Sequence, residues 1–335
     1  MRKISASALL LLGFLLAGAA GLQAHPPDVG ALDIIATFDA SHLETPESIA
    51  IDLDGNIYLS LALIGEIRKI APDGTQSTYT TFPIGVPLTP CGPFVNAVTG
   101  ITLDPQGNLY ASVVACDPAQ RGIWRVAPDG TQEILANLPL EGIPNGIALR
   151  RGYLYIADSS LPWIWRVPAD GGPAEKWIES PLLQQSPPVP GFAILPGANG
   201  LQIFRQELFV SNSGQGTIVA IPFEPDGSAG TPRVHATLPA PMGGDDFAFD
   251  VHGAIYVTTD PFNTLLKISP DGTTTEFLLT VADGLDGPTA ATFGRLGEDR
   301  FNLYITNGAF PFFSTTHNPT LMRLHLGDPG APPPW

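Results

Sequence analysis

A closed, all-β ring of six four-stranded antiparallel units is the fold this 335-residue sequence predicts. Three observations predict it. One strand-pair pattern recurs six times at intervals of roughly 45–54 residues, a period that suits propeller blades. Its strands are short, alternating and rich in β-branched and aromatic residues, as half-buried pleated surfaces require. No stretch after residue 24 keeps a 3.6-residue apolar period, and 36 glycines with 35 prolines supply the turns.

The first unit reads PESIAIDLDGNIYLS from Pro46 to Ser60, and the second VTGITLDPQGNLYAS from Val98 to Ser112. The third is PNGIALRRGYLYIAD (Pro144 to Asp158) and the fourth ANGLQIFRQELFVSN (Ala198 to Asn212). The fifth runs from Gly244 to Thr259; the sixth starts PTAATFG at Pro288 and resumes FNLYITN at Phe301. Their second strands align on Tyr58, Tyr110, Tyr155, Phe209, Tyr256 and Tyr304. Two residues later stands a small residue each time: Ser60, Ser112, Ala157, Ser211, Thr258 or Thr306. The first five units then carry a second hairpin signal at Asp73-Gly74, Asp129-Gly130, Asp170-Gly171, Asp226-Gly227 and Asp271-Gly272. Asp-Gly supplies the positive φ that a tight turn needs. The sixth unit ends on Leu321 to Leu326 with no outer strand of its own. The apolar segment Ile34 to Phe38 is predicted to return as that strand, closing the ring and covering a sheet edge. Trp163 and Trp165 alternate along one strand and are expected to pack between blades.

The ends read as processing and tail. Arg2 and Lys3, an apolar run from Ala8 to Ala20 and Leu22-Gln23-Ala24 have the layout of a secretory signal, so residues 1–24 are expected to be removed. The run is too short for an ordinary transmembrane helix. Residues 25–328 are expected to form one propeller domain and 329–335 a disordered tail. The mature chain is expected in the periplasm or the extracellular medium, as a monomer and without membrane insertion. Net charge is −16, and losing Arg2 and Lys3 with no acid takes it to −18. That balance argues against nucleic acid as a partner. Cys91 and Cys116 flank the first hairpin of the second unit, and export permits a disulfide between them.

The residue at the start of each first strand faces one mouth of the central channel. Around the ring these are Glu47, Thr99, Asn145, Asn199, Asp245 and Thr289. Glu47, Asn145, Asn199 and Asp245 offer carboxylate and carboxamide oxygens, the donors a hard cation such as calcium takes. The six histidines are scattered and give no zinc or copper spacing. Each donor has an ordinary alternative. Asn145-Gly146 and Asn199-Gly200 also read as turns, and Glu47 and Asp245 as solvated acids. A shared register in four units favours a common site. A second ring three residues after the aromatic, Asp158, Asn212, Thr259 and Asn307, is expected to return to that face and orient the first. Asp246, Thr99 and Thr289 are further supporting candidates. No nucleophile elbow, P-loop or dinucleotide fingerprint is present.

In repeat number and register the chain resembles the calcium-dependent six-bladed propellers of the gluconolactonase/regucalcin (senescence-marker-protein) group. It is more distantly similar to paraoxonases and NHL-repeat proteins. Glu47, Asn145, the Asn199-Gly200-Leu201 motif and Asp245-Asp246 match the places of that group's calcium ligands. The resemblance implies a bound calcium, a small-molecule substrate at the channel mouth and a lactone or ester hydrolase with Asp245 as base. The sequence departs from the paraoxonases in having no histidine at the place of their catalytic pair, and no substrate-gripping arginine of the gluconolactonases can be placed. The alternative function is a non-catalytic exported propeller that binds a partner or small ligand. A quinone-dependent sugar oxidase lacks the basic residues an anionic quinone would need at the centre.

Overall fold

The computed structural model describes residues 29–187, 195–240 and 243–334. Residues 1–24, expected to be a signal, and residues 188–194 of the Pro-rich loop before the fourth unit lie outside the described residues. Six four-stranded antiparallel sheets stand around a central channel. Their innermost strands are Pro46–Ile51, Ala97–Leu103, Pro144–Arg150, Ala198–Phe204, Phe247–Phe249 and Pro288–Phe293. Each blade steps outward strand by strand. The first continues through Ile57–Leu61 and Glu66–Ile70 to Gln76–Thr81.

The sixth blade closes as the sequence predicts. Val29–Thr37 pairs antiparallel with Thr320–Leu326 and is its outermost strand, starting several residues before the Ile34 of the sequence reading. The ring is thus locked by both ends of the propeller. The only helical segments among the described residues are five short 3₁₀ turns. The Asp-Gly hairpins form, with Gly74, Gly130, Gly171, Gly227 and Gly272 at positive φ.

Blades adhere through apolar residues of their facing surfaces. Ala50, Tyr58 and Ile67 of the first blade meet Ile101, Leu109 and Val126 of the second. Ile49 and Leu59 pack on Ala290, Tyr304 and Leu321 across the closure. A fully buried side chain such as Leu59 or Leu109 contributes about 1.5–3 kcal/mol. Trp165 is buried between the second and third blades with Trp163 edge-on beside it, ring centroids 5.0 Å apart, which is the packing expected of the pair.

The aligned tyrosines pin the first turn of their own blades. Asp52 and Asp104 accept from backbone N–H groups across the turn and receive the hydroxyls of Tyr58 at 3.2 Å and Tyr110 at 3.1 Å. The start of the tail, residues 329–331, bonds to the ring. Ala331 N–H donates to Phe249 O, Gly330 N–H to Arg300 O, and Val251 N–H to Pro329 O, at 2.8–3.0 Å. The prolines that follow have little conformational freedom to lose.

Candidate functional site

Five of the six innermost strands present their first residues at one mouth of the channel because each of the five carries a register shift there; in the fifth blade Asp245 and Asp246 stand just ahead of Phe247–Phe249. The shifts fall between Pro46 and Ile49, Val98 and Ile101, Pro144 and Ile147, Ala198 and Leu201, and Pro288 and Ala290. A bulge re-aims a side chain that regular pleating would send between blades. The small residues of the second strands serve these bulges. Ser60 Oγ accepts from Ser48 N–H and donates to Thr99 O, both at 2.9 Å. Ser211 Oγ accepts from Gly200 N–H at 2.8 Å, and Thr306 Oγ1 from Ala290 N–H at 2.9 Å.

Asn145-Gly146 and Asn199-Gly200 are therefore not turns; they lie inside strands. A Cβ on Gly100 would stand 2.4 Å from Asn145 O, one on Gly146 2.5 Å from Asn199 O, and one on Gly200 2.5 Å from Asp245 O. Glycine is required because adjacent inner strands pass backbone to backbone. That close approach brings the ring donors together. Glu47, Asn145, Asn199, Asp245 and Asp246 line one small hollow with Ser48 and the three glycines.

Within it Asn145 Nδ2 donates to Asn199 Oδ1, and Asn199 Nδ2 to Asp245 Oδ1 at 2.7 Å. Ser159 Oγ receives Asn145 Nδ2 at 3.1 Å, and Ser213 Oγ receives Asn199 Nδ2 at 3.0 Å. Each serine donates onward to a backbone carbonyl, Ala198 O or Gly244 O. Asp246 Oδ1 accepts from Phe247 N–H at 2.8 Å and Gln202 Nε2 at 3.3 Å. The two amides are thus held from behind by the serines.

The electrostatics are one-sided. Burial, with the charges of Asp246 and Asp260, pushes Glu47 up to about 8. Burial raises Asp245 well above the usual carboxylate range, helped by Glu47, Asp260 and Asp246. Asp246 rises to about 7, and Asp260 to about 7 through burial and the nearby Asp286. None of these four acids forms an ion pair with Lys, Arg or His among the described residues. Asp260 Oδ1 is buried without a hydrogen-bond partner. Acids crowded in this way hold either protons or a cation. Two carboxylates and two carboxamides in one ring suit a hard divalent ion. Among the described residues, however, no three His, Cys, Asp or Glu side chains are grouped as metal ligands.

The supporting ring needs correction. Asp158 Oδ1 accepts from Ile143, Ser160 and Leu161 N–H, while Oδ2 takes Trp165 Nε1 at 2.9 Å. Asn212 donates to Leu182 and Gln184 carbonyls, Asn307 to Gly284 O, and Thr259 bonds Thr264. These residues fasten loops and do not reach the donor ring. Successive strand residues face opposite ways, so the position four after the aromatic points to the site instead, as Ser159, Ser213 and Asp260 do. The alignment of small residues two after the aromatic held that signal, since +2 and +4 share a face. Thr99 Oγ1 donates to Pro144 O at 2.7 Å and Thr289 Oγ1 to Pro46 O at 3.0 Å, so both hydroxyls tie blade to blade.

Cys91 and Cys116 are free thiols in the structure. They adjoin: burial and the Cys116 side chain push the Cys91 thiol up to about 12.

No family model matches the sequence, and no curated protein matches it. Solved structures do. A putative gluconolactonase aligns at 18% identity with a TM-score of 0.65, over 92% of this chain and 96% of its own. A gluconolactonase from Xanthomonas campestris aligns at 19% identity and TM-score 0.61, over 91% and 96%. A calcium-binding protein, regucalcin, from Agrobacterium tumefaciens aligns at 14% identity and TM-score 0.63, over 91% and 96%. The chain therefore has the six-bladed propeller fold of the gluconolactonase and regucalcin structures.

Proposed function

We propose that this protein is an exported, calcium-dependent hydrolase of lactones or related esters. One observation carries the reading: Glu47, Asn145, Asn199 and Asp245 converge at a channel mouth crowded with acids that no basic side chain among the described residues pairs with. Glu47, Asn145, Asn199 and Asp245 would hold the ion, which when bound polarises a carbonyl and stabilises its developing negative charge. Asp245 takes the proton of the attacking water as the water oxygen bonds to the acyl carbon. The acyl C–O bond then breaks, and Asp245 returns the proton to the departing oxygen. Asn199, bonded to Asp245 Oδ1, fixes the carboxylate's orientation. Ser159 and Ser213 fix the two amides.

The rim supports an apolar group on the substrate. Phe310 lies beside Gly308, which itself approaches Pro46 O next to Glu47. Phe312 stacks on Phe310 at 5.2 Å and Phe313 stands edge-on to Phe312 at 4.8 Å, with the outer two rings 46% and 42% exposed. The reading includes a Cys91–Cys116 disulfide in the exported protein, checked by titrating thiols before and after reduction.

The test is elemental analysis of the purified mature protein beside its melting temperature, followed by a panel of sugar and alkyl lactones. We expect one calcium per chain, stability lost on chelation, and turnover of the more apolar lactones. No calcium and no response to added calcium would overturn the reading and leave a ligand-binding propeller.

A further inference from the structure

The opposite end of the same channel holds a cavity of about 90 Å³. Its walls include Ile101, Ile147, Thr292 and the tail residues Pro332 to Pro334. Arg295 reaches into it from just beyond the sixth innermost strand. Its Nε donates to Ile51 O at 3.2 Å, and this is the guanidinium's only hydrogen bond among the described residues. No carboxylate pairs with it there. Arg121 and Arg68 show the contrast. Arg121 gives three bonds to the carbonyls of Pro139, Ala115 and Gly142, and Arg68 pairs with Glu44 and Glu66.

Arg295 therefore keeps most of its five donors for the cavity. The half-buried guanidinium has no counter-charge beside it, and burial lowers its pKa to about 10. The tail makes the enclosure tighter without relieving it. Proline has no N–H, and a cation needs acceptors, yet no carbonyl of residues 332–334 bonds to Arg295. The planar fork matches a carboxylate in two parallel bonds. The volume admits an anion of a few heavy atoms.

We propose that the rear cavity is a binding site for a small carboxylate, held two-pronged by Arg295 and enclosed by residues 329–334. The site is independent of the chemistry at the front mouth. Gln202, which lines the cavity and donates to Asp246, is the side chain that joins the two ends.

Isothermal titration of the full mature chain with sodium acetate and sodium formate in low-salt buffer tests this. One carboxylate per chain is expected, with a dissociation constant of about millimolar for so small a ligand. Arg295→Gln should weaken it roughly 10- to 100-fold. Arg323→Gln, which removes an arginine paired with Asp33 on the outer edge of the sixth blade, should leave it unchanged. Absence of binding in the wild type, or binding that survives Arg295→Gln, overturns the proposal. If Arg295→Gln does not fold, nuclear Overhauser effects between the acetate methyl and the Ile101 and Ile147 methyls decide. Their presence supports the site and their absence overturns it.

Discussion

The two mouths of the channel are built by the same six strands, yet one gathers acids and the other a lone guanidinium. At the front, bulges turn Glu47, Asn145 and Asn199 inward, Asp245 joins them from just ahead of its strand, and glycines let neighbouring strands close on one another. At the rear the pleating is regular, the walls are Ile49, Ile101, Ile147 and Ile203, and the one charge is Arg295. The difference teaches that the charge in this channel is set by where the ladder is broken. Where it is intact, branched apolar residues fill the ring and charge enters only from the loop after a strand.

Replacing Asp245 by Asn breaks the front most sharply. Lactone turnover should fall by about 10²–10⁴ if Asp245 moves the proton, while the melting temperature in chelator holds or rises as one of four crowded acids is removed. Unchanged turnover would remove Asp245 from the chemistry and leave the front mouth as a binding ring.

The acids themselves predict a pH dependence for the metal-free protein. Glu47 stands at about 8 against an ordinary 4.5, and Asp246 and Asp260 at about 7 against 3.8. The fold thus favours their protonated forms. Their contribution is complete below about pH 4 and is lost as pH rises through 7 to 8. Denaturant midpoints in chelator should fall across that window, and calcium should flatten the fall. A midpoint independent of pH from 5 to 8 in chelator would contradict the crowding.

Gly146→Ala sharpens the contrast from the backbone side. A Cβ 2.5 Å from Asn199 O should cost about 1–3 kcal/mol in chemical denaturation. The same experiment on Gly152, where a Cβ meets nothing within 4 Å, isolates the strain of its positive φ, because Gly152 has φ +79°. At the rear, Gly330→Ala sets a Cβ 2.1 Å from Phe293 Cβ and should lift the tail. We expect a smaller loss, about 1 kcal/mol, and faster trimming of the last residues by carboxypeptidase. Trimming at the wild-type rate would mean that the three tail hydrogen bonds do not hold in solution.

The blade count, the register of the six units, the turns and the returning N-terminal strand were legible in the sequence. Each follows from local rules: two-residue alternation, Asp-Gly turn chemistry and the need to cover an edge. Glu47, Asn145, Asn199 and Asp245 were legible as a set because register alone puts them at one level. Their neighbours were not. Asp158 and Asn212 share that level but face away, and the serines one residue further on orient the amides. Thr99 and Thr289 point correctly but spend their hydroxyls on Pro144 O and Pro46 O. Asp260 entered the site unannounced, and the tail and Arg295 meet only across the closed ring. By itself the sequence determined which strands exist and which residues begin them, since that is decided within one hairpin. Only the tertiary structure decided which polar atoms remain free, because their partners come from other blades, 39 to 54 residues away for the Ser60, Asn145 and Asn199 bonds.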